Sequence, residues 1–487
     1  MRRPVKKRKR KASAAPGLSA RLNAHVHLQA QADGNVTATF DEFSLPLGKY
    51  SIDALKRAQA IGVGLPVASF ASARKVVDKE VALLVERLAR TGLLEYRFGT
   101  ANKDLAIVEP QVAGYWPQIA RCTATDTIVL SRFAYLRRRG NDLVLESPRS
   151  AALFQICDPR LLSMLATLSS PQKIRELGRQ PGFPGLEFIG LLLDCDILFR
   201  VGKDSDGLRP SEGDEKLVVW DFHDLLFHSR STEGRQSSPI GGRYPHIDTI
   251  APPPAVRAAW SGEAIDLQRF AAPAEPSPFV KLLRERHSTR DFDEAQPITL
   301  AELAQFLESA ARVQWTWSEP LDFGDGDIGP EIAYTRRPYP SAGSAYELEL
   351  YLAVSACEGL ARGFYHYDAE RHALVPIPTD EQALAMQFEA AQFAMDSPMP
   401  PQILFTIAAR FPRVAWKYSA IAYSLILKDV GVLLQTLYLT ATDMNLGGCA
   451  IGTGNIELFA RMTGQDFHGE GPVGQFALGR GRQVGDG

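Results

Sequence analysis

The sequence has few cysteines and no pattern that would pair them. Its 487 residues contain five cysteines, which are far apart, odd in number and never arranged as CxxC. We therefore expect a reducing compartment, no disulfide framework and no structural zinc site. The nine histidines add no metal-ligand spacing, so no metal ion is expected either.

The sequence also lacks an unbroken hydrophobic run of membrane-spanning length. The longest apolar stretch, residues 419–444, is interrupted by Lys428, Asp429 and Asp443. Its unbroken part is about 13 residues, whereas a spanning helix needs about 20. The segment ASAAPGLSARLNA near the start has no apolar core of the kind that signal peptides require. These absences predict a cytoplasmic protein without a membrane partner.

The chain has little net charge, but its basic residues are unevenly distributed. With 54 Lys and Arg against 56 Asp and Glu, the formal charge is -2. Residues 1–11, MRRPVKKRKRK, hold eight of the basic residues and no acid, so the rest of the chain is acidic. An acidic body does not suit a phosphate-backbone binder, and we expect no nucleic-acid partner. We interpret residues 1–19 as a disordered, solubilising basic tail rather than a DNA contact.

Two stretches with the same order of secondary-structure signals follow the tail. Residues 20–124 have a hairpin pattern turning at Asp33-Gly34, then two helical patterns and the strand LLEYRFG. Residues 125–203 repeat this order, with a hairpin that turns at Gly140. We interpret both stretches as small winged-helix-like modules. Because neither offers a dense basic recognition helix, we expect them to bind a peptide or a protein partner rather than DNA.

The last two regions differ sharply in composition. Residues 204–280 are rich in Gly, Pro and Ser and are predicted to be a linker or wrapping segment. Residues 281–487 show a dense mixture of helical and strand patterns, and Thr299 with Glu302 forms a capping box at the start of one helix. The predicted fold class is α+β.

Four short motifs in the last region have residues suited to binding a phosphorylated, flat ligand. Arg286, Ser288 and Arg290 occupy alternate positions, so an extended segment would point two guanidinium groups and a hydroxyl the same way. A solvated charged loop explains the same residues equally well. In GRGR, Arg480 and Arg482 again occupy alternate positions and are able to clamp a phosphate.

The other two motifs have small residues that allow close approach to the backbone. In PSAG, Pro340 stiffens a turn while Ser341 and Gly343 leave room for a flat ligand, although an ordinary turn before a strand has the same composition. NLGGCAIGTGN is neither a Walker A motif nor a dinucleotide fingerprint, because it follows a helix and no Lys-Ser/Thr ends it. A helix C-cap with its connecting loop is the alternative there.

The order of these motifs is the most specific observation. RxSxR, PSAG before a strand, WKY, LKDVG, GGCAIG and a terminal LGR together resemble the flavin-dependent nitroreductase superfamily. Within it, the chain resembles the SagB-type azoline dehydrogenases, the thiazole/oxazole oxidases of ribosomal-peptide biosynthesis. The resemblance covers about residues 281–482, and the upstream blocks RFAYLRRRGNDLVLESPRS and FHDLLFHSRS extend it.

The resemblance implies a C-terminal FMN-binding nitroreductase-like fold and a homodimer with its flavin sites at the subunit interface. The FMN phosphate and ribityl chain would be held by the RxSxR and GRGR residues, and the flavin ring by PSAG and by backbone groups of CAIG. These cofactor-binding residues are Arg286, Ser288, Arg290, Arg480, Arg482, Pro340, Ser341, Gly343, Cys449, Ala450, Ile451 and Gly452. Cys449 would be a small packing residue, not a nucleophile.

The segment WKY, residues 416–418, distinguishes the azoline dehydrogenases from simple nitroreductases. Oxidising an azoline ring to an azole removes a proton from carbon as well as a hydride, so a side-chain base is useful. Lys417 and Tyr418 resemble the catalytic pair of the azoline dehydrogenases, although a snorkelling lysine at the start of a helix is the plain alternative. The implied substrate is an azoline-containing precursor peptide, with oxygen as final acceptor and a cyclodehydratase as a further partner. A general NAD(P)H-dependent nitroreductase or quinone reductase, and a non-catalytic peptide-binding scaffold, are the competing interpretations.

Overall fold

The computed structural model describes residues 15–40, 43–71, 74–101, 103–202, 210–235, 241–242, 244–270, 275–324 and 327–482. The chain divides into two compact units. The N-terminal unit comprises Met1–Arg230 and Gly234–Ser237, and the C-terminal unit comprises Ser231–Glu233 and Ser238–Gly487. Most of the predicted basic tail lies outside the described residues.

The N-terminal unit is built mainly from antiparallel sheets. One sheet has seven strands in the order β5-β1-β6-β7-β11-β10-β9, and two others have three strands each, β2-β3-β4 and β12-β8-β13. The strands are β1 (Gly17–Leu22), β2 (Val26–Ala30), β3 (Asn35–Phe40), β4 (Phe43–Lys49), β5 (Leu65–Pro66), β6 (Leu94–Thr100), β7 (Lys103–Pro110), β8 (Thr127–Leu130), β9 (Tyr135–Arg139), β10 (Asp142–Glu146), β11 (Ala152–Ile156), β12 (Gln172–Lys173) and β13 (Leu198–Arg200). The helices are α1 (Ile52–Ala58), α2 (Ala68–Ala71), α3 (Val76–Arg90), α4 (Arg160–Thr167), α5 (Ile174–Leu177), α6 (Leu186–Asp194) and α7 (Phe222–Ser231).

Both predicted hairpins of this unit are confirmed. β2 pairs with β3 across a turn in which Gly34 has a φ of +88°, and β9 pairs with β10 across Gly140 at +60°. Glycine suits these positive φ values because it has no Cβ to clash. The predicted tail is corrected at its end: β1 begins at Gly17 and pairs with β6, so the last residues assigned to the tail belong to a sheet.

The predicted boundary between residues 124 and 125 falls inside one compact unit. β7, which precedes it, pairs with β11, which follows it, and a single hydrophobic core extends from Leu18 to Leu198. The helices and strands appear in the predicted order, but the strands of both halves join the same seven-stranded sheet. The winged-helix-like character of the two halves stays a prediction.

Part of the predicted linker also belongs to this unit. Glu212 is buried and accepts hydrogen bonds from Ser131 Oγ at 2.6 Å, from the Arg132 amide at 2.7 Å and from Arg149 at 3.0 Å. A buried carboxylate is tolerated only when it has such partners. Around Glu212 the predicted linker or wrapping segment therefore packs into the N-terminal unit and does not run as a free linker.

The C-terminal unit contains one six-stranded antiparallel sheet and a separate hairpin. The sheet has the order β18-β17-β16-β19-β21-β20, and β14 pairs with β15 alone. The strands are β14 (Trp315–Asp322), β15 (Ile328–Arg336), β16 (Leu348–Val354), β17 (Gly363–Asp368), β18 (Ala373–Ile377), β19 (Ile403–Arg410), β20 (Gly447–Ile451) and β21 (Glu470–Gly479). The helices are α8 (Pro278–Glu285), α9 (Leu300–Ala310), α10 (Glu381–Met395), α11 (Phe411–Ala415), α12 (Ala422–Asp443) and α13 (Ile456–Thr463).

Helices cover both faces of this sheet. On one face, residues of α10 and α13 such as Phe388 and Phe459 share a core with strand residues such as Leu404. On the other face, Phe306 of α9 packs against Phe405 with ring centres 5.8 Å apart, and Tyr438 of α12 packs edge-on against the ring of Phe476. Alternate strand residues point to opposite faces, which explains why β19 is buried at every position except the last, Arg410.

Two predictions about the helices can be compared with the structure. The capping box at the start of α9 is confirmed, with both reciprocal hydrogen bonds between Thr299 and Glu302. The apolar stretch around residue 430 forms the continuous helix α12, which by length and composition alone is able to cross a membrane. A core helix passes the same test, and α12 buries Ile426 and Leu433 in the C-terminal unit. The lack of a membrane partner stays a prediction.

Candidate active site

The RxSxR segment follows α8 and lies against α12 and β20. Ser288 Oγ is 2.8 Å from the hydroxyl of Tyr438, and the Arg286 guanidinium lies 5.2 Å from the centre of the same ring. The Tyr438 hydroxyl also accepts a hydrogen bond from the Ala450 amide at 2.8 Å. Arg286 and Ser288 therefore face the same tyrosine, as their alternation predicted.

Arg290, the third residue of the RxSxR motif, lies near the Cys449 thiol. Burial raises the pKa of the Cys449 thiol, and the nearby Arg290 opposes that rise. The amide of Thr289 donates to the Gly448 carbonyl at 2.8 Å, which ties this segment to β20. A buried thiol with a raised pKa is a weak nucleophile, in agreement with a packing role for Cys449.

The glycine-rich segment NLGGCAIGTGN contains a strand. Gly447–Ile451 forms β20, which pairs with β21 at the edge of the six-stranded sheet. Gly447 and Gly448 are required by space, because a Cβ at either would come within 2.6 Å of Thr289 or Phe476 side-chain atoms. The helix C-cap alternative is wrong for Gly447: the left-handed residue that terminates α12 is Asn445, whose φ is +56°. β20 is an edge strand, but its Gly448 carbonyl and Ala450 amide are already bonded to Thr289 and Tyr438. The contacts of Ala450, Ile451 and Gly452 with a ligand stay a prediction.

Arg480 and Arg482 lie beside the RxSxR segment, on its other face. They line a cavity of about 760 Å³ together with His287 and Thr289, the alternate residues of the segment. Arg480 is bonded to both carboxylate oxygens of Glu302, at 2.8 and 3.0 Å. The structure thus places the RxSxR side chains against β20 and α12, and the terminal arginines in a cavity that Thr442 of α12 and Gly447 of β20 also line.

The PSAG turn is held by a buried polar network. Ser341 Oγ donates to Asp429 Oδ2 at 3.0 Å and accepts from the Tyr346 amide at 2.9 Å, while the Ala342 amide donates to the same Asp429 oxygen at 2.8 Å. Glu347 Oε2 lies 3.3 Å from Ser341 Oγ. Burial, and then the negative charge of Asp429, raise the pKa of Glu347 to about 7.

The same turn meets the predicted catalytic pair. Gly343 has a φ of +55°, and a Cβ at this position would lie 2.6 Å from the Tyr418 hydroxyl and 2.7 Å from Lys417 Nζ. The absence of a side chain at Gly343 therefore allows both functional groups to approach the turn. Lys417 is exposed and Tyr418 is half-buried, with Lys417 Nζ 5.4 Å from the centre of the Tyr418 ring.

Helix α11 sets the position of this pair. The amides of Lys417 and Tyr418 both donate to the Val414 carbonyl at 3.0 Å, so the two residues continue the last turn of α11. The Arg413 guanidinium donates to the carbonyls of Ala345, at 2.9 Å, and of Ala333. One arginine therefore fastens α11 to the segment that follows PSAG and to β15.

Sequence reasoning missed Glu347 and Asp429. A signal was present for Asp429, since it falls on the apolar face of α12 together with Ile426, Val430 and Leu433. A carboxylate on such a face needs a partner in the core. Glu347 has no comparable signal. It belongs to the alternating sequence YELELYL after PSAG, and polar residues at alternate positions are ordinary in a strand pattern.

Two parts of the chain are similar to known protein families. Residues 128–237 match the family described as cyanobactin oxidase ThcOx, and residues 283–480 match the nitroreductase family. A protein of Methanocaldococcus jannaschii described as a nitroreductase is 29% identical over 171 residues, which is 35% of this chain and 76% of that protein.

Solved structures with related chains include three of interest. A nitroreductase of Ralstonia eutropha is 22% identical, covering 44% of this chain and 88% of its own, with a TM-score of 0.32. A chain of the Escherichia coli microcin synthetase McbBCD complex with truncated pro-MccB17 bound is 18% identical, covering 57% and 99%, with a TM-score of 0.39. A nitroreductase of Desulfovibrio desulfuricans in complex with FMN is 12% identical, covering 44% and 91%, with a TM-score of 0.26.

The C-terminal unit therefore contains a nitroreductase-family domain, the fold of a flavin-dependent class of oxidoreductases. In this chain a cyanobactin-oxidase region precedes that domain, and the pair of matches confirms the resemblance to SagB-type azoline dehydrogenases of the nitroreductase superfamily.

Proposed function

We propose that the protein is an FMN-dependent dehydrogenase that oxidises thiazolines or oxazolines in a ribosomally made peptide to thiazoles or oxazoles. The observation that supports this most is the meeting of Lys417 Nζ and the Tyr418 hydroxyl at Gly343 of the PSAG turn. A base beside the proposed flavin turn suits a reaction that removes a proton from carbon. The cyanobactin-oxidase region and the nitroreductase domain in one chain support the same assignment.

The side chains at this site have the kinds of hydrogen-bond donors and positive charges that an FMN cofactor requires. Arg286, Ser288 and Arg290 offer two guanidinium groups and a hydroxyl beside the edge strand β20, which are suitable donors for the phosphate and ribityl oxygens. Arg480 and Arg482 add two further cations in the adjoining cavity. FMN, when bound, supplies a two-electron acceptor.

The chain's own contribution to the reaction is proton removal. Lys417 Nζ would take the proton from one ring carbon, and the electron pair of that C–H bond would form the new ring double bond. The second hydrogen would leave the adjacent ring carbon with its own electron pair, as a hydride. Lysine acts as a base only in its neutral form, which desolvation favours. Because Lys417 is exposed in this chain, the bound peptide would have to exclude water from it. The Tyr418 hydroxyl, beside the same glycine, would orient Nζ or share the proton.

The proposed partners follow from this assignment. The substrate is a precursor peptide whose azolines come from a cyclodehydratase, and a homodimer with flavin at its interface is the expected assembly. The N-terminal unit is proposed to bind or support the peptide. Removing residues 1–203 tests this role: peptide affinity should fall, while unchanged affinity and turnover would contradict it. The truncated chain must first be shown to bind FMN, since residues 210–230 pack in the same unit.

Mass spectrometry of an azoline peptide incubated with the purified protein tests the function directly. We expect the loss of two hydrogens per ring, and the purified protein should show the yellow absorbance of FMN. An unchanged authentic substrate would contradict the proposal. A general NAD(P)H-dependent nitroreductase is the second candidate, favoured by the match to the Methanocaldococcus protein. It predicts rapid flavin reduction by NAD(P)H and no change in the peptide.

A further inference from the structure

Two carboxyl groups behind the PSAG turn have no task in the proposed reaction. Glu347 is fully buried and Asp429 is 7% exposed. Within the described part of the chain neither forms an ion pair, and Glu347 Oε1 is buried without a hydrogen-bond partner. The other charged or titratable groups near Glu347 are Arg413, whose guanidinium is bonded to backbone carbonyls, and the buried hydroxyl of Tyr339. Two buried carboxylates side by side would repel each other.

The hydrogen count at Ser341 indicates how this arrangement is satisfied. Ser341 Oγ has one hydrogen but lies within 3.3 Å of oxygens from both Glu347 and Asp429, and it already accepts from the Tyr346 amide. If both acids were ionised, one of the two contacts would have no hydrogen. If Glu347 carries a proton, its hydroxyl donates to Ser341 Oγ, which in turn donates to Asp429. Every contact around Ser341 is then a hydrogen bond.

We propose that Glu347 is a positioning residue that works as a neutral acid, and that the chain Glu347 to Ser341 to Asp429 fixes the turn against which Lys417 and Tyr418 lie. The Ala342 amide, bonded to Asp429, fixes the next residue of the turn. Glu347 thus acts through Ser341 and Gly343 on the groups that meet the ligand. The role of the turn in binding FMN rests on the proposed function, but the hydrogen-bonded chain does not.

The proton on Glu347 makes the stability of the folded protein depend on pH, and the direction of that dependence follows from the raised pKa of Glu347. The folded protein keeps the Glu347 proton up to about pH 7, whereas the unfolded chain loses it near the ordinary glutamate pKa. The folded state therefore binds more protons in that range, and stability falls as the pH rises toward 7 and through it. Ionised Glu347 would then repel Asp429 and loosen the turn.

Glu347→Gln is the matching variant, because its amide is neutral at every pH and donates a hydrogen bond. Thermal unfolding of the FMN-free protein and FMN affinity, by flavin fluorescence, are measured at about pH 6 and about pH 8.5. In the parent protein we expect a lower unfolding temperature and up to about tenfold weaker FMN binding at the higher pH. Glu347→Gln should remove both differences, and Glu347→Ala should bind FMN poorly at both values.

Two further variants complete the test. Glu349 lies two residues further along, in β16, and pairs with Arg410 outside the turn. Glu349→Gln should therefore keep the parent's pH differences. Asp429→Asn removes the repelling charge and should reduce them, which also covers the case in which Glu347→Gln fails to fold. Parent-like pH differences in Glu347→Gln or in Asp429→Asn would overturn the proposal. A parent protein that binds no FMN yet shows the unfolding difference would contradict the proposed function and support the carboxyl chain.

Discussion

At the Ser341–Gly343 turn the polar groups are buried and bonded to one another, whereas at the terminal arginines they are partly exposed and bonded to acids that lie near the surface. Glu347 and Asp429 are almost inaccessible to water. By contrast, the Arg480 side chain is 29% exposed and its partner Glu302 is 31% exposed. Buried networks rigidify their surroundings, while exposed ion pairs exchange partners at little cost. We infer that the turn is fixed before a ligand arrives and that the terminal arginines change partners when it binds.

The largest effect should come from removing the base at the fixed turn. Lys417→Ala is expected to lower azoline oxidation by about 100-fold or more, since general-base catalysis typically contributes that much. FMN content should be unchanged, because Lys417 is exposed and makes no contact that holds the turn together. Lys428→Ala, an exposed lysine on α12, is the control and should keep full activity. Full oxidation by a flavin-loaded Lys417→Ala variant would show that Lys417 is not the base.

A smaller effect should follow from filling the space at the turn. Gly343→Ala places a methyl group on Lys417 Nζ and the Tyr418 hydroxyl and also strains a φ of +55°. We expect about 1 kcal/mol lower stability from the φ alone, and roughly tenfold lower turnover from the displaced pair. Gly359→Ala has a similarly positive φ of +85° but only ordinary contact with Leu300. It should show the stability loss without the loss of turnover, and equal turnover losses in both variants would contradict the role of Gly343.

The sequence was informative where a local pattern determines the structure. Alternation placed Arg286 and Ser288 on one face, and the capping box of Thr299 and Glu302 marked the start of α9. Such patterns involve a few consecutive residues, so no knowledge of the distant chain is needed to interpret them.

Contacts between distant segments could not be predicted in this way. Asp429 reaches Ser341 across 88 positions, and Arg480 reaches Glu302 across 178. Whether a glycine-rich segment becomes a loop or the edge strand β20 depends on β21 being available to pair with it. The shared sheet of the N-terminal unit and the burial of Glu212 likewise depend on partners supplied by distant segments.

Replacing Arg480 should weaken FMN binding and have little effect on the stability of the folded protein. Arg480→Ala should weaken FMN binding by about tenfold, the loss expected for one charge-assisted bond to a phosphate. The unfolding temperature of the FMN-free protein should hardly change, because a partly exposed pair with Glu302 contributes little. Arg312→Ala is the control. It breaks the ion pair between Arg312 and Glu308, a residue of α9 like Glu302, and should leave FMN affinity intact. An Arg480→Ala protein that unfolds early and binds FMN normally would show that Arg480 has only a structural role.

The smallest effect is expected at Arg482, whose side chain is 54% exposed and lies 3.7 Å from Asp291. Arg482→Ala should weaken FMN binding by about threefold at low salt and by less at high salt, because ions screen exposed charges. The pH difference that depends on Glu347 should persist at both salt concentrations, since buried groups are screened much less. Titrations of FMN into the parent, Arg482→Ala and Glu347→Gln proteins at two salt concentrations separate the two behaviours. If salt removed the pH difference as well, the turn would be open to solvent and not fixed in advance of its ligand.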